Sequence, residues 1–121
     1  MRLKKTLVLG ASPNLSRYSN LAVNRLVEKG HKVIPVGIKK GKIIGLPIIN
    51  DLTIQDKIDT VTLYLGPQNQ IAYIDYILAT KPKRVIFNPG TINPPFMDQL
   101  EKRGVEVVVA CTLVMLSANT Y

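Results

Sequence analysis

The sequence predicts an α/β domain in which helices cover both faces of a five-stranded parallel sheet. Short apolar runs typical of buried strands alternate with amphipathic stretches typical of helices, and Gly or Pro separates them. Strand–helix alternation at this spacing requires right-handed crossovers and therefore a parallel, doubly wound sheet. A chain of 121 residues has room for one core, so residues 1–121 are expected to form one domain.

The first three elements are predicted from an apolar run, a helical stripe and a second apolar run. Residues 5–9 form the first strand, which Gly10 ends. Residues 19–29 are predicted to be a helix because apolar side chains recur there on one face, and Gly30 supplies its C-terminal stop. Residues 32–36 form the second strand.

The middle of the chain has a weaker pattern. Residues 41–51, "GKIIGLPIIND", are compatible with either a short strand or a loop, and residues 53–58 with one helical turn. Residues 60–65 then form the third strand, and Pro67 begins a helix as its first residue. The apolar residues predicted on one face of that helix are Ile71, Ile74, Ile77 and Leu78.

The last elements repeat the alternation. Residues 84–87 form the fourth strand, and Asn93 is the expected N-cap of a helix over residues 94–103. Gly104 ends that helix, and residues 105–109 form the fifth strand.

The charge is concentrated in one half of the chain. Residues 1–50 contain ten Lys and Arg against the single acidic residue Glu28, a net charge of +9, whereas residues 51–121 carry a net charge of −1. A basic half indicates an anionic partner, although a solvated surface would have the same composition. The sequence does not interleave aromatic residues with these cations and has no reading motif, so a nucleic-acid-binding protein is disfavoured.

Several classes of protein are excluded by composition. No apolar run approaches the roughly 20 residues that a membrane-spanning helix requires. The apolar run 7–9 is shorter than the about 7–15 residues of a signal-peptide core. The single cysteine, Cys111, rules out an internal disulfide framework and a cysteine zinc site. These observations predict a cytoplasmic protein with no membrane partner.

Ligands of a doubly wound sheet bind beyond the carboxyl ends of the strands, where the strand order reverses. The four predicted strand ends, at residues 10–19, 35–40, 65–68 and 88–91, are rich in small and polar residues, as ordinary turns also are. The candidate binding residues at these ends are Gly10, Ala11, Ser12, Arg17, Tyr18, Ser19, Pro35, Val36, Gly37, Lys39, Lys40, Leu65, Gly66, Pro67, Asn88, Pro89 and Gly90.

The first strand end has the features of a phosphate site. A helix that begins near Ser16 or Ser19 directs its unpaired N–H groups toward residues 10–12, which creates an anion site. Arg17 can pair with a phosphate through two N–H groups, or it can be an ordinary exposed cation. The dinucleotide fingerprint G-x-G-x-x-G keeps only its first glycine, Gly10, and at least one of the two serines is expected to cap the helix.

The second strand end separates two nucleotide classes. An NAD site places an acidic residue here for the ribose hydroxyls, but the chain has none between Glu28 and Asp51. Lys39, Lys40 and Lys42 would instead suit a phosphate on the adenosine ribose, which both NADP and coenzyme A (CoA) carry. A solvated loop is the alternative.

Residues 8–37, "VLGASPNLSRYSNLAVNRLVEKGHKVIPVG", resemble the small stand-alone CoA-binding domain proteins, which are similar to the CoA-binding domain of the succinyl-CoA synthetase alpha subunit. Gly10-Ala11-Ser12, Arg17-Tyr18-Ser19 and Pro35-Val36 carry the resemblance. The chain departs from the family's pattern where Gly37-Ile38 replaces Asn-Pro and Thr112 replaces a proline. The resemblance implies a Rossmann-type fold that binds CoA or an acyl-CoA without an established reaction. Some relatives of this fold, redox-sensing repressors among them, bind NAD(H) instead.

The sequence favours a binding, sensor or partner module over an enzyme. His31, the only histidine, is expected at a strand start as a partly exposed residue, and no catalytic constellation can be assembled around it. The alternative is an NADP- or NAD-linked oxidoreductase or redox-sensing domain. An oxidoreductase needs an acid or base beside the nicotinamide; Tyr64 or Tyr73 could be nominated for it, but nothing in the sequence selects them. Cys111 is expected to be a small buried hydrophobe, or else a thiol near the pantetheine end of a bound CoA. The apolar run 113–116 is either a buried helix or a surface for self-association.

Overall fold

The structure is a computed structural model that describes residues 2–121. Seven strands and five helices are formed within this range. The strands are β1 (Thr6–Leu9), β2 (Val33–Val36), β3 (Lys42–Ile43), β4 (Leu46–Pro47), β5 (Thr60–Leu63), β6 (Arg84–Phe87) and β7 (Glu106–Val109). The helices are α1 (Tyr18–Glu28), α2 (Pro67–Gln70), α3 (Ile74–Thr80), α4 (Pro94–Lys102) and α5 (Thr112–Ser117), and a 3₁₀ turn over Ile71–Tyr73 joins α2 to α3.

The main sheet contains five parallel strands in the order β2-β1-β5-β6-β7, which confirms the predicted fold class. The register places Leu9, the last residue of β1, between Val36 of β2 and Leu63 of β5. From β1 the chain runs outward to β2 and then returns past β1 to β5, so the strand order reverses between β1 and β5. In a doubly wound sheet this reversal leaves a crevice at the carboxyl ends of the two strands.

Both faces of the sheet are covered, which explains the continuous apolar strands. On one face Val8 and Ile86 pack with Leu26 of α1 and Leu116 of α5. On the other face the core includes residues of α3 and α4, and the rings of Phe87 and Phe96 meet edge to face at 5.9 Å. The run 113–116 lies within α5, which packs on α1 but is only partly buried: Leu116 is buried, whereas 63% of the Val114 surface is exposed.

The middle segment differs in part from its prediction. Residues 42–47 form a two-stranded hairpin, after which Ile49 pairs with Val36 and covers the outer edge of β2. The helical turn predicted at 53–58 is wrong, because these residues form no helix. The Asp51 carboxylate accepts hydrogen bonds from the backbone N–H and the hydroxyl of Thr53, at 3.0 and 2.6 Å, and such local bonds compete with helix formation.

The helix predicted to begin at Pro67 is interrupted by the 3₁₀ turn. The turn changes the rotation from one residue to the next, so Ile71 lies on the solvent side with 72% of its surface exposed, although it was predicted on the buried face. Ile77 and Leu78 are buried as predicted. Gln70 is buried in place of Ile71, the next residue, which the apolar pattern predicted to be buried.

The helix caps were only partly predictable. The prediction that Ser16 or Ser19 caps α1 is wrong, because Arg17 occupies the N-cap position and makes no side-chain cap hydrogen bond. Asn93 is the N-cap residue of α4, as predicted. Its side chain makes no cap hydrogen bond, however, and its amide nitrogen donates to the side chain of Gln70.

At the amino edge of the sheet, His31 is buried rather than partly exposed as predicted. Its Nδ1 accepts a hydrogen bond from the Lys4 backbone N–H at 2.9 Å, and its ring lies edge-on to the Tyr121 ring at 4.9 Å. The Tyr121 ring also lies under the Arg84 guanidinium at 4.5 Å, and its hydroxyl contacts the Thr6 hydroxyl. Burial, followed by the positive charge of Lys4, lowers the pKa of His31; Arg84 adds to this effect, and Asp59 opposes it.

We expect this buried imidazole to make stability depend on pH. Because the pKa of His31 is lower in the folded chain, the unfolded chain binds more protons once the pH falls below about 6.5, and the free energy of unfolding then decreases down to the lower, folded pKa. Urea unfolding between pH 5.5 and 8 would show this loss. His31 is the only histidine, so the His31→Asn variant should show a flatter profile in this window. Equal slopes in the two proteins would contradict the assignment.

Candidate functional site

A cleft of about 700 Å³ opens at the carboxyl ends of β1 and β5, where the strand order reverses. The loops that follow β1, β2, β5 and β6 line it, and these are the four strand ends that the sequence indicated. One side, here called the phosphate wall, is made by residues 10–12, 16–19 and 37–39. The opposite side, the far wall, is made by residues 64–66, 69, 73 and 89–91.

The structure brings most of the candidate residues to this cleft. Those in its lining are Gly10, Ala11, Ser12, Arg17, Tyr18, Ser19, Gly37, Lys39, Leu65, Gly66, Pro89 and Gly90. Those outside it are Pro35, Val36, Lys40, Pro67 and Asn88. Six lining residues were not among the candidate binding residues, namely Ser16, Ile38, Tyr64, Asn69, Tyr73 and Thr91. Of these, Tyr64 and Tyr73 had been considered only for the oxidoreductase alternative.

The loop after β1 is fixed by its backbone. The N–H groups of Gly10 and Ala11 both donate to the Val36 carbonyl, at 2.9 Å, so Val36 holds the loop from behind instead of facing the cleft. Gly10 has a φ of +92°, and a Cβ there would lie 3.0 Å from atoms of Tyr64 and Leu65. Only glycine adopts this conformation without strain, and it lets the loop turn tightly between the two neighbouring strands.

The start of α1 offers unpartnered donors to the cleft. Within the described residues, the backbone N–H groups of Tyr18 and Ser19 donate to no other protein group. They lie at the positive end of an eleven-residue helix, which favours a bound anion. Arg17 precedes them with an exposed side chain in the cleft lining.

The rest of the loop is held by side chains. The Ser12 hydroxyl accepts a hydrogen bond from the Asn14 N–H at 3.1 Å, which leaves its proton available to a ligand. The Asn20 amide donates to the Ser12 carbonyl at 3.0 Å and ties the loop to α1. The loop is therefore shaped before any ligand arrives.

The cleft is electrostatically one-sided. Arg17 and Lys39 are the charged residues in its lining, and no acidic side chain of residues 2–121 joins them. Both cations lie on the phosphate wall, whereas the far wall is uncharged. The cleft is therefore suited to a ligand with an anionic end and a neutral end.

Asn88 stabilises the fold behind the cleft. Its amide nitrogen donates to the Thr62 hydroxyl at 2.7 Å and to the Leu63 carbonyl at 2.8 Å, and its oxygen accepts from the Thr112 N–H at 2.8 Å. These bonds join β5, β6 and the start of α5. Its side chain is buried and its amide is occupied within the protein.

Tyr64 lines the cleft, but its hydroxyl is buried in the core. This hydroxyl has no hydrogen-bond partner within the described residues. Burial, and then the nearby Cys111, raise the pKa of Tyr64 to about 12, so the phenol stays neutral near pH 7. It is therefore a poor general base.

Cys111 lies at the N-cap position of α5, half-buried and outside the cleft lining. Among residues 2–121 no three His, Cys, Asp or Glu side chains are grouped to hold a metal ion. Over the same residues, every helix is too short or too polar to cross a membrane.

The missed residues carried a weak signal. Asn69 and Tyr73 are four residues apart in the helical segment after β5, a spacing that places both on one side of a helix. They follow a predicted strand end, so their side could have been assigned to the cleft. Ser16 and Ile38 adjoin candidate residues, but nothing in the sequence distinguishes them from other loop residues.

The fold and the position of the cleft define a Rossmann-like α/β domain, and comparison with known proteins makes this more specific. The family model described as "CoA binding domain" matches residues 4–117, so the chain belongs to the CoA binding domain family. A search of curated proteins found no match.

Solved structures share the whole architecture. The crystal structure of an uncharacterized protein is 54% identical, with a TM-score of 0.98 and 100% of both chains covered. A hypothetical protein from Pyrococcus horikoshii OT3 is 29% identical, with a TM-score of 0.86 over 97% of this chain and 84% of that one. A protein from Thermus thermophilus, 24% identical with a TM-score of 0.84 over 98% of this chain and 91% of that one, shares the fold.

Proposed function

We propose that this protein binds CoA or an acyl-CoA in the cleft and acts as a non-catalytic binding, sensor or partner module. One observation carries the proposal: the free N–H groups of Tyr18 and Ser19 and the side chain of Arg17 meet at one end of the cleft. Together they offer a diphosphate two backbone donors, a helix dipole and a guanidinium. Membership of the CoA binding domain family supports the same ligand.

The charge distribution suggests how the ligand lies. In this proposal the diphosphate of CoA lies against the phosphate wall. Lys39, which lines the cleft on the loop after β2, then binds the phosphate on the ribose. The uncharged far wall then receives the pantetheine chain, whose amides can bond to backbone groups and to Asn69 or Thr91.

The lining favours binding over catalysis. It contains no histidine or carboxylate within the described residues, and the raised pKa of Tyr64 makes its phenol a weaker proton donor near pH 7 than an ordinary tyrosine. The oxidoreductase alternative needs such a group beside the nicotinamide. Tyr73 also lines the cleft but lies on the uncharged far wall.

The proposal is tested by a thermal-shift panel of CoA, acetyl-CoA, NAD, NADP and ATP on one preparation. A ligand present at about 100 times its Kd stabilises the folded state by about 2.7 kcal/mol, which corresponds to a rise in Tm of roughly 5–15 °C for a domain of this size. We expect CoA or acetyl-CoA to give the largest rise. A larger rise with NAD or NADP, or none with any of the five, would refute the proposal.

Lys39 and Lys40 form a matched pair for the ribose phosphate, because they are adjacent and equally charged but only Lys39 lines the cleft. We expect Lys39→Ala to weaken CoA binding by roughly threefold to tenfold, because Lys39 is exposed and a solvent-screened ion pair contributes less than a charge-assisted hydrogen bond. Lys39→Ala should leave dephospho-CoA, which lacks that phosphate, unaffected. Titration calorimetry of both ligands measures this, with Lys40→Ala as the control. Equal losses in the two variants would indicate only a general effect of charge.

A further inference from the structure

We propose that Gln70 is a positioning residue, which sets the affinity of the far wall for its ligand without touching that ligand. The proposal rests on the proposed CoA binding and deepens it. Gln70 is completely buried and lies outside the cleft lining, behind the two far-wall loops. Its side-chain amide is hydrogen-bonded to both of these loops.

The side chain of Gln70 uses both of its ends. Its Nε2 donates to the Leu65 carbonyl at 2.8 Å and to the Thr91 carbonyl at 2.7 Å. Its Oε1 accepts a hydrogen bond from the Asn93 side-chain amide at 2.9 Å. Leu65 and Thr91 are themselves lining residues on different loops, so one amide group fixes the spacing between them.

The loops need such a connection because glycines lie where they approach each other. A Cβ added to Gly66 would lie 3.8 Å from the Gly90 carbonyl, which places the two backbones side by side without side chains that could interlock. Thr91 is held in its own turn by hydrogen bonds from its N–H and its hydroxyl to the Asn88 carbonyl, at 3.0 and 2.8 Å. Each loop is thus ordered internally, and Gln70 fixes one relative to the other.

The volume that Gln70 fills does not explain why this residue is a glutamine. An apolar side chain of the same size would pack there but would leave the Leu65 and Thr91 carbonyls without their donor. The free carbonyls would turn toward solvent, and the far wall would lose its fixed shape. A wall that is shaped in advance binds more tightly because the ligand does not have to order it.

The position of Gln70 makes a specific prediction, since it contacts only the far wall. Two probes separate the walls: CoA spans both, whereas adenosine 3′,5′-bisphosphate carries the ribose 3′-phosphate and the first of the two phosphates of the diphosphate but lacks the pantetheine chain. In Gln70→Met, which keeps the size but not the donors, we expect the Kd for CoA to rise about tenfold and the Kd for the bisphosphate to stay within about twofold. Gln70→Leu, which is also apolar and lacks the donors, should show the same pattern and provides a second variant should the first fail to fold.

Leu100→Ala is the matched control, because Leu100 is also completely buried and packs in the core on α4. It lowers stability without reaching the cleft, so both Kd values should stay within about twofold at a temperature where it remains folded. Titration calorimetry of all four proteins with the two probes gives the ratio. Wild-type binding of CoA with a ratio unchanged in the Gln70 variants would overturn the role of Gln70 alone. A wild-type protein that binds neither probe would overturn the proposed CoA function, and the inference with it.

Discussion

Replacement of Arg17 by alanine is expected to weaken CoA binding by about 10- to 100-fold. Arg17 is the charged residue at the helix end where the N–H groups of Tyr18 and Ser19 are free, so its guanidinium and these donors would share one diphosphate. Charge-assisted hydrogen bonds contribute about 1.5–3 kcal/mol each, and 1.4 kcal/mol corresponds to a tenfold change in Kd. Titration calorimetry with CoA measures the change.

Arg25 provides the control for this variant, because it lies in the last turn of the same helix and pairs with Glu28 at 3.7 Å. Arg25→Ala removes the same charge from the protein but from the opposite end of α1. We expect its Kd for CoA to stay within about twofold of the wild-type value, since distant exposed charges are screened at physiological salt. If both variants weakened binding to the same degree, net charge and not a local contact would be responsible.

The stability of the Arg17 variant should be almost unchanged. Arg17 makes no side-chain cap hydrogen bond, and its side chain is exposed. Surface substitutions of this kind usually change the free energy of unfolding by less than about 0.5 kcal/mol. A loss of affinity would therefore report on the cleft and not on the fold.

The sheet could be predicted because burial on both faces leaves a direct trace in sequence. Residues 6–9, 60–63 and 85–87 are continuous apolar or β-branched runs, and a glycine or a polar residue follows each of them within three positions. The rule that ligands of such a sheet bind beyond the carboxyl ends of the strands then indicated the four loops that line the cleft. Doubly wound sheets bind ligands there for a reason of topology that does not depend on the ligand.

The sequence did not predict whether polar side chains near the strand ends point into the core or into the cleft. Asn88 and Asn69 are both amide residues beside a strand end, yet Asn88 bonds inward to Thr62 and Leu63 while Asn69 lines the cleft. The sequence does not distinguish these two orientations, because contacts with segments distant in the chain decide whether an amide side chain points into the core or lines the cleft. Gln70 and His31 were missed as buried residues for the same reason.

The prediction of which helix face is buried was wrong where a 3₁₀ turn replaces the α-helical repeat. The pattern at Ile71, Ile74 and Ile77 is regular in sequence, but the 3₁₀ turn over Ile71–Tyr73 shifts the first of them to the surface. The helical hydrogen-bond pattern resumes only at α3. A period of 3.6 residues cannot reveal a change of helix type within one turn.

Replacement of Gly37 by alanine is expected to have the largest effect on stability of any single methyl group added at the cleft. The new Cβ would lie 2.3 Å from the Ala11 carbonyl oxygen, far inside van der Waals contact. Neither partner can easily move away. The Gly37 N–H donates to the Ile49 carbonyl at 3.0 Å, and the Gly37 carbonyl accepts from the Asn50 amide at 2.8 Å.

We therefore expect Gly37→Ala to lower the free energy of unfolding by about 1–3 kcal/mol, as overpacking does, and to lower Tm by roughly 5–15 °C. Because the displaced Ala11 belongs to the phosphate wall, the Kd for CoA should rise as well.

Gly66→Ala is the control. Gly66 has a φ of −65°, and a Cβ there would meet no atom closer than 3.8 Å. Alanine at such a compatible position should leave stability equal or raise it by about 0.4–1 kcal/mol through the unfolded state. Urea unfolding and CoA titration of the two variants distinguish a steric requirement for glycine at Gly37 from a general preference for glycine in loops. Equal stability of the two would show that the loops after β1 and β2 do not meet as closely as the structure places them.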